Sequence, residues 1–277
     1  MFKNLLVHVP TERSPRPAID GSISLALSFG AELEAMAVGY ESINDVPFVA
    51  EGGVAMAPLF EEQHQQALER ASGALAIFEV EAKAAKVNYR CRALGASFAE
   101  AATIFNAKAR LCDLTIVSQP DPANETFDNL FPQSALFEAG GPILVIPYTF
   151  RGPLNLARIG ICWDGSRLAA RALRDASPLL AKANALTILS VNEAASPEAS
   201  ADRLAARLAS LGLPAKIIQL QADHSDIQPT ILSAAADESL DLLVMGGYGH
   251  SRLKEVVLGG VTRGMFRCMT VPTLMSH

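Results

Sequence analysis

The chain has 277 residues, of which 50% are hydrophobic, 19% charged and 6% aromatic, with a formal net charge of −6. That apolar content excludes a largely disordered chain, and the acidic balance argues against a nucleic-acid binder or a binder of anionic membrane surfaces. The length suits one large domain or two of ordinary size, at about 150 residues each.

The chain opens on MFKNLLVHVP, where an apolar run over 5–9 contains His8 and stops at Pro10. That run is shorter than the ~7–15 apolar residues of a secretory leader core. No stretch approaches the ~20 apolar residues of a membrane span, so a cytoplasmic protein without membrane attachment is expected. A helical pattern over 18–29 and a strand, AELEAMAVGYE, come next. The insertion VPFVAEGGVAMAPLF, at 46–60, is apolar and glycine-rich. It reads either as a surface excursion or as a lid over a pocket. A strand (VNYRCRAL), a helix (98–109), a buried strand (CDLTIVSQ) and a last strand (GPILVIP) complete the first half. TFRGPLN, at 149–155, carries the turn signal Gly152-Pro153 and reads as a linker.

The second half repeats this order. ARIGICWDGS, a helix over 167–180 and NALTILSVNE answer the opening of the first half. AKIIQL, a helix over 227–238, LDLLVMGG and VPTLMSH answer its later elements, aligning Asp113 with Asp241 and Pro142 with Pro272. Strands such as LTIVS and LLVMG have no polar face, as parallel strands covered by helices on both sides require. The expected fold is therefore α/β: two tandem doubly wound open sheets, mainly parallel, five strands each. The expected domains are 1–148 and 156–277. Ligands in such sheets sit at the carboxyl ends of strands where the strand order reverses.

Cys91, Cys112, Cys162 and Cys268 form no C-x-x-C, and the five histidines show no metal-ligand spacing. Buried free thiols and no metal site are expected.

The buried strand LDLLVM runs straight into Gly246, Gly247 and Gly249, and nine residues separate Gly249 from the pair Gly259-Gly260. Glycines allow close backbone approach, and successive N–H groups in such turns form an anion-binding nest. A helix starting at Gly260 would add its N-terminal dipole. His250 and Ser251 are adjacent in that loop, with no third residue to orient them. There is no G-x-x-x-x-G-K-[ST] or G-x-G-x-x-G.

This spacing resembles the universal stress protein family, whose nucleotide signature is G-x-x-G, nine residues, then G followed by Ser or Thr. Gly246, Gly249 and Gly259 match in register, and Gly260 departs from the Ser/Thr. The resemblance extends over both halves and implies a tandem member. It further implies that Asp164 contacts the nucleoside and Val191 the adenine. Gly246, Gly249, Gly259 and Gly260 would then hold phosphates, aided by Val261 and Thr262. The implied ligand is ATP, with Mg²⁺, in the C-terminal half of a stress-response regulatory protein. It implies no catalytic residue and at most slow ATP hydrolysis.

The corresponding first-half loop, VSQPDPANE, has no glycine, and Pro10-Thr11-Glu12 stands where Asp164 stands. The first half is therefore expected not to bind a polyphosphate. The alternative reading is a non-nucleotide interaction or scaffold protein of the same fold, with a protein partner. In either case the halves form an intramolecular pseudo-dimer, and a homodimer of chains remains open.

Overall fold

A computed structural model describes residues 1–41, 56–192, 196–247 and 260–277. Its first half runs β1 (Asn4–Val9), α1 (Arg16–Phe29), β2 (Glu32–Tyr40), α2 (Met56–Ala84), β3 (Tyr89–Ala96), α3 (Phe98–Ala109), β4 (Leu114–Ser118), α4 (Phe131–Glu138) and β5 (Ile143–Ile146). The second runs β6 (Arg158–Cys162), α5 (Arg167–Asp175), α6 (Ser177–Leu180), β7 (Ala185–Val191), α7 (Ala201–Ser210), β8 (Ala215–Leu220), α8 (Ile227–Asp237), β9 (Leu242–Gly246), α9 (Val261–Cys268) and β10 (Thr273–Ser276).

The described strands form one sheet in the order β3-β2-β1-β4-β5-β10-β9-β6-β7-β8. Every pairing is parallel except β5 with β10, which is antiparallel through Thr273–Val145, Leu274–Leu144 and Met275–Ile143. Two expected five-stranded sheets are thus joined edge to edge. That pairing covers two strand edges that would otherwise expose unsatisfied backbone groups.

Strand composition fixes the layers. In β9, Leu242 and Val244 enter one core and Leu243 and Met245 the other, because successive side chains point to opposite faces. In β1, Leu5, Val7 and Val9 face the first core and Leu6 the second. The first core is closed by α1, α2, α6 and α7, and the second by α3, α4, α8 and α9. Both faces of the central strands are therefore dry, which is why they read as unbroken apolar runs.

Two expectations are corrected, and a third lies mostly outside the described residues. The helix expected over 167–180 is two, α5 and α6, broken where Pro178 enters the first turn of α6 and has no N–H to continue the ladder. Of the insertion at 46–60, residues 46–55 lie outside the described residues, and from Met56 onward the chain is already in α2. The cysteines are free as expected, but Cys268 is exposed and the other three are only half-buried. Among the described residues no helix is long and apolar enough to cross a membrane.

Candidate functional site

In the second half the strand order reverses at β6, which pairs with β7 on one side and β9 on the other. A cavity of about 370 Å³ opens at the carboxyl ends of these three strands. Its size lies within the ~300–1,000 Å³ of small-molecule sites. Its floor is Cys162, Leu189, Val191, Met245 and Gly246, and its walls are Leu168 and Ala169 of α5, Ile227 and Ile231 of α8, and the N-terminal end of α9.

Each candidate residue arrives there for a local reason. Asp164 is exposed and follows β6 in a tight turn in which Gly165 has φ +75°, left-handed backbone that favours glycine. Its Oδ1 accepts from the Ser166 N–H at 2.8 Å, and Ser166 Oγ caps α5 by accepting from Ala169 N at 3.1 Å. Gly246 ends β9 directly beneath α5. A Cβ there would lie 2.7 Å from both Ala169 N and the Leu168 carbonyl carbon. Gly260 is the N-cap of α9 and offers no side-chain cap, so first-turn N–H groups of α9 lack a capping oxygen from that position. Val261 and buried Thr262 open that helix against the cavity. Val191 is the last residue of β7.

The structure thus brings Asp164, Val191, Gly246, Gly260, Val261 and Thr262 to one cavity. Gly249 and Gly259 lie outside the described residues, as do His250 and Ser251. The sequence reading missed His224, which lines the cavity from the loop between β8 and α8. The rule that ligands meet carboxyl strand ends applied to that loop too, but no motif marks it.

Burial, and secondarily the charge of Asp164, pushes the Cys162 thiol up to about 12, so it stays protonated and a poor nucleophile. No group of His, Cys, Asp and Glu suited to a metal is found among the described residues. The described lining contains no Lys or Arg. Among the described residues, an anion would be met by backbone N–H groups and the α9 dipole.

In the first half the equivalent place is filled. His8, near the end of β1, stacks on Phe131, the first residue of α4, with centroids 3.9 Å apart. Cys162 and Val261 hold the corresponding places in the open cavity, so two rings stand where the second half has two small side chains. Behind them the buried Asp128 carboxylate accepts from Thr11 N at 3.0 Å, Glu12 N at 2.9 Å and the Tyr40 hydroxyl at 2.7 Å. Glu12, in the stretch that aligns with Asp164, accepts from Phe127 N at 2.7 Å. Arg13 donates to the Gln119 and Ser118 carbonyls at the end of β4. The first-half loop was read as merely lacking a phosphate cradle; the structure adds that side chains occupy the space.

This packing carries a pH dependence. Burial lowers the His8 pKa to about 4, against the opposing pull of Asp128. The folded state therefore holds His8 neutral, while the unfolded chain protonates it near 6.5. Its stability contribution is complete above the unfolded value and is lost as pH falls from about 6.5 toward 4, by up to about 3 kcal/mol. The exposed pair His64–Glu41 works in the opposite sense, since hydrogen bonding to Glu41 raises the His64 pKa. Urea unfolding at several pH values should show the wild type weakening over this window and a His8→Gln variant weakening much less. Parallel curves would contradict the assignment.

Residues 155–277 match the model of the universal stress protein family. The universal stress protein Slr1230 of Synechocystis sp. is 27% identical over 142 residues, 48% of this chain and 46% of its own length. The universal stress protein MJ0577 of Methanocaldococcus jannaschii is 38% identical over 45 residues, 16% of this chain and 28% of its own length. The chain thus spans less than half the length of these curated relatives. A universal stress protein structure from Archaeoglobus fulgidus DSM 4304 covers 98% of this chain and 97% of its own, with a TM-score of 0.73 at 14% identity. That likeness concerns the fold.

Proposed function

We propose that this chain, a member of the universal stress protein family through its residues 155–277, is a regulatory protein that binds one adenine nucleotide in its C-terminal half. One observation carries the reading: Asp164, Val191, Gly246, Gly260, Val261 and Thr262, drawn from four separate segments, line one cavity. The apolar pocket formed by Val191, Leu189, Ile227 and Met245 suits a flat base, and the open oxygen of Asp164 suits a ribose hydroxyl. The phosphates lie toward Gly260 and the first turn of α9, where backbone N–H groups point outward. Asp164 is the one carboxylate lining the cavity among the described residues, so Mg²⁺ would travel on the phosphates rather than wait in a protein cage. The role in this reading is regulatory. On this reading the two halves act as a tandem pair, 1–148 and 156–277, with the first half as a closed partner.

Calorimetric titration with ATP tests this. The wild type should bind one equivalent, and Asp164→Ala should bind more weakly. Gly260→Ser restores a hydroxyl at the N-cap of α9, and one added neutral hydrogen bond of ~0.5–1.5 kcal/mol should tighten binding about 2- to 12-fold. An absence of heat in the wild type would sink the proposal in favour of a non-nucleotide interaction protein.

A further inference from the structure

Trp163 stands between two depressions. On one side it lines the cavity described above; on the other it lines a groove of about 310 Å³ between α5 and α7. The indole is fixed there, because its Nε1–H donates to the Ala199 carbonyl at 2.7 Å, just before α7 begins. Leu173 and Leu204 supply apolar surface to the groove, and Arg174, Arg203 and Arg207 bring three guanidinium groups to it.

The groove is electrically unbalanced. Among the described residues its one lining carboxylate, Glu198, is engaged by Arg203 at 3.0 Å. Arg174 and Arg207 form no ion pair with a described residue. Arg203 and Arg207 are also four residues apart on α7, a like-charge spacing that weakens a helix unless an anion lies between. This concentration of positive charge occurs in a chain whose net charge is −6. Guanidinium forks match the oxygens of phosphate, and an aromatic wall accepts a flat or apolar substituent.

We propose that this groove is a second ligand site, for a small phosphate ester or pyrophosphate-like oxyanion. It is separate from the nucleotide cavity and touches it only through Trp163. The volume, near the lower end of small-molecule sites, restricts the ligand to a small organic phosphate. Trp163 lines both depressions, so its emission responds to occupancy of either. The assignment does not depend on what fills the first cavity.

Trp163 is the sole tryptophan, so its fluorescence is the readout, with calorimetry beside it. The probe is inorganic pyrophosphate. The wild type should show saturable binding. The double variant Arg174→Gln/Arg207→Gln should bind more than about tenfold more weakly, having lost two charge-assisted contacts. Gly260→Asp, which places a carboxylate at the α9 end of the neighbouring cavity, should leave the affinity unchanged. All variants are compared at equal circular dichroism, with the single Arg207→Gln variant in place of any that unfolds. No saturable binding by either readout, or wild-type affinity in the arginine variants, overturns the proposal. A loss in Gly260→Asp as large as in the arginine variants assigns the anion to the first cavity and overturns it as well.

Discussion

Asp128→Ala should destabilise the protein by about 3–5 kcal/mol, a large part of the ~5–15 kcal/mol that ordinary domains possess. The carboxylate is fully buried and holds two backbone N–H groups and the Tyr40 hydroxyl. Alanine takes away the acceptor and leaves all three donors dry, each costing roughly 1–3 kcal/mol with partial relief from relaxation. Asp128→Asn keeps one carbonyl oxygen and should cost less. Tyr40→Phe removes one donor and leaves the others satisfied, so it should cost only ~1 kcal/mol. Urea unfolding ranks the three. A cost below about 1 kcal/mol for Asp128→Ala would mean that water replaces the carboxylate and that the first-half filling is loose.

Gly246→Ala should cost about 1–3 kcal/mol and weaken nucleotide binding by more than about tenfold. The added methyl meets Ala169 N and the Leu168 carbonyl carbon, each at 2.7 Å. Those atoms are backbone, so no side-chain rotation relieves the contact and the start of α5 must move. That movement drags Ser166, Leu168 and Ala169, which wall the cavity, and with them the turn that presents Asp164. Calorimetry with ATP and thermal melting measure the two effects together. Unchanged affinity with reduced stability would confine Gly246 to a packing role.

The second effect shows why parts of the site were readable in advance. Gly246 and Gly260 were legible because glycine has few reasons to follow a buried strand or start a helix. The structure supplies two: close approach of α5 at Gly246, and an N-cap position without a side chain at Gly260. Asp164 and Val191 came from the family resemblance; Val191 ends β7 and Asp164 follows β6, and strand ends next to the reversal in strand order converge. The layers were legible for a simpler reason, since β4 and β9 carry no charged residue and neither has a polar face.

What stayed hidden depends on pairs distant in sequence. His8 and Phe131 stack across the whole first half, and Asp128 meets Thr11, Glu12 and Tyr40 from far along the chain. Asp128 sits in FDNLF, which looks like an ordinary acidic turn. The missing glycines said only that a phosphate cradle was gone. His224 was invisible for another reason: a lone histidine in a polar loop carries no spacing information. The break between α5 and α6 was signalled by Pro178, but the surrounding apolar pattern concealed it.

The β5–β10 pairing has a consequence for dose response. It locks one filled half to one open half within a single polypeptide. A symmetric pair of identical subunits would offer two seats, and the first guest could alter the welcome given to the second. If the cavity takes a nucleotide as proposed, the chain has one seat for it, and the saturation curve should be a plain hyperbola with a Hill coefficient of about one. Such a protein reports its ligand in proportion, as a gauge does, and not by snapping between two settings.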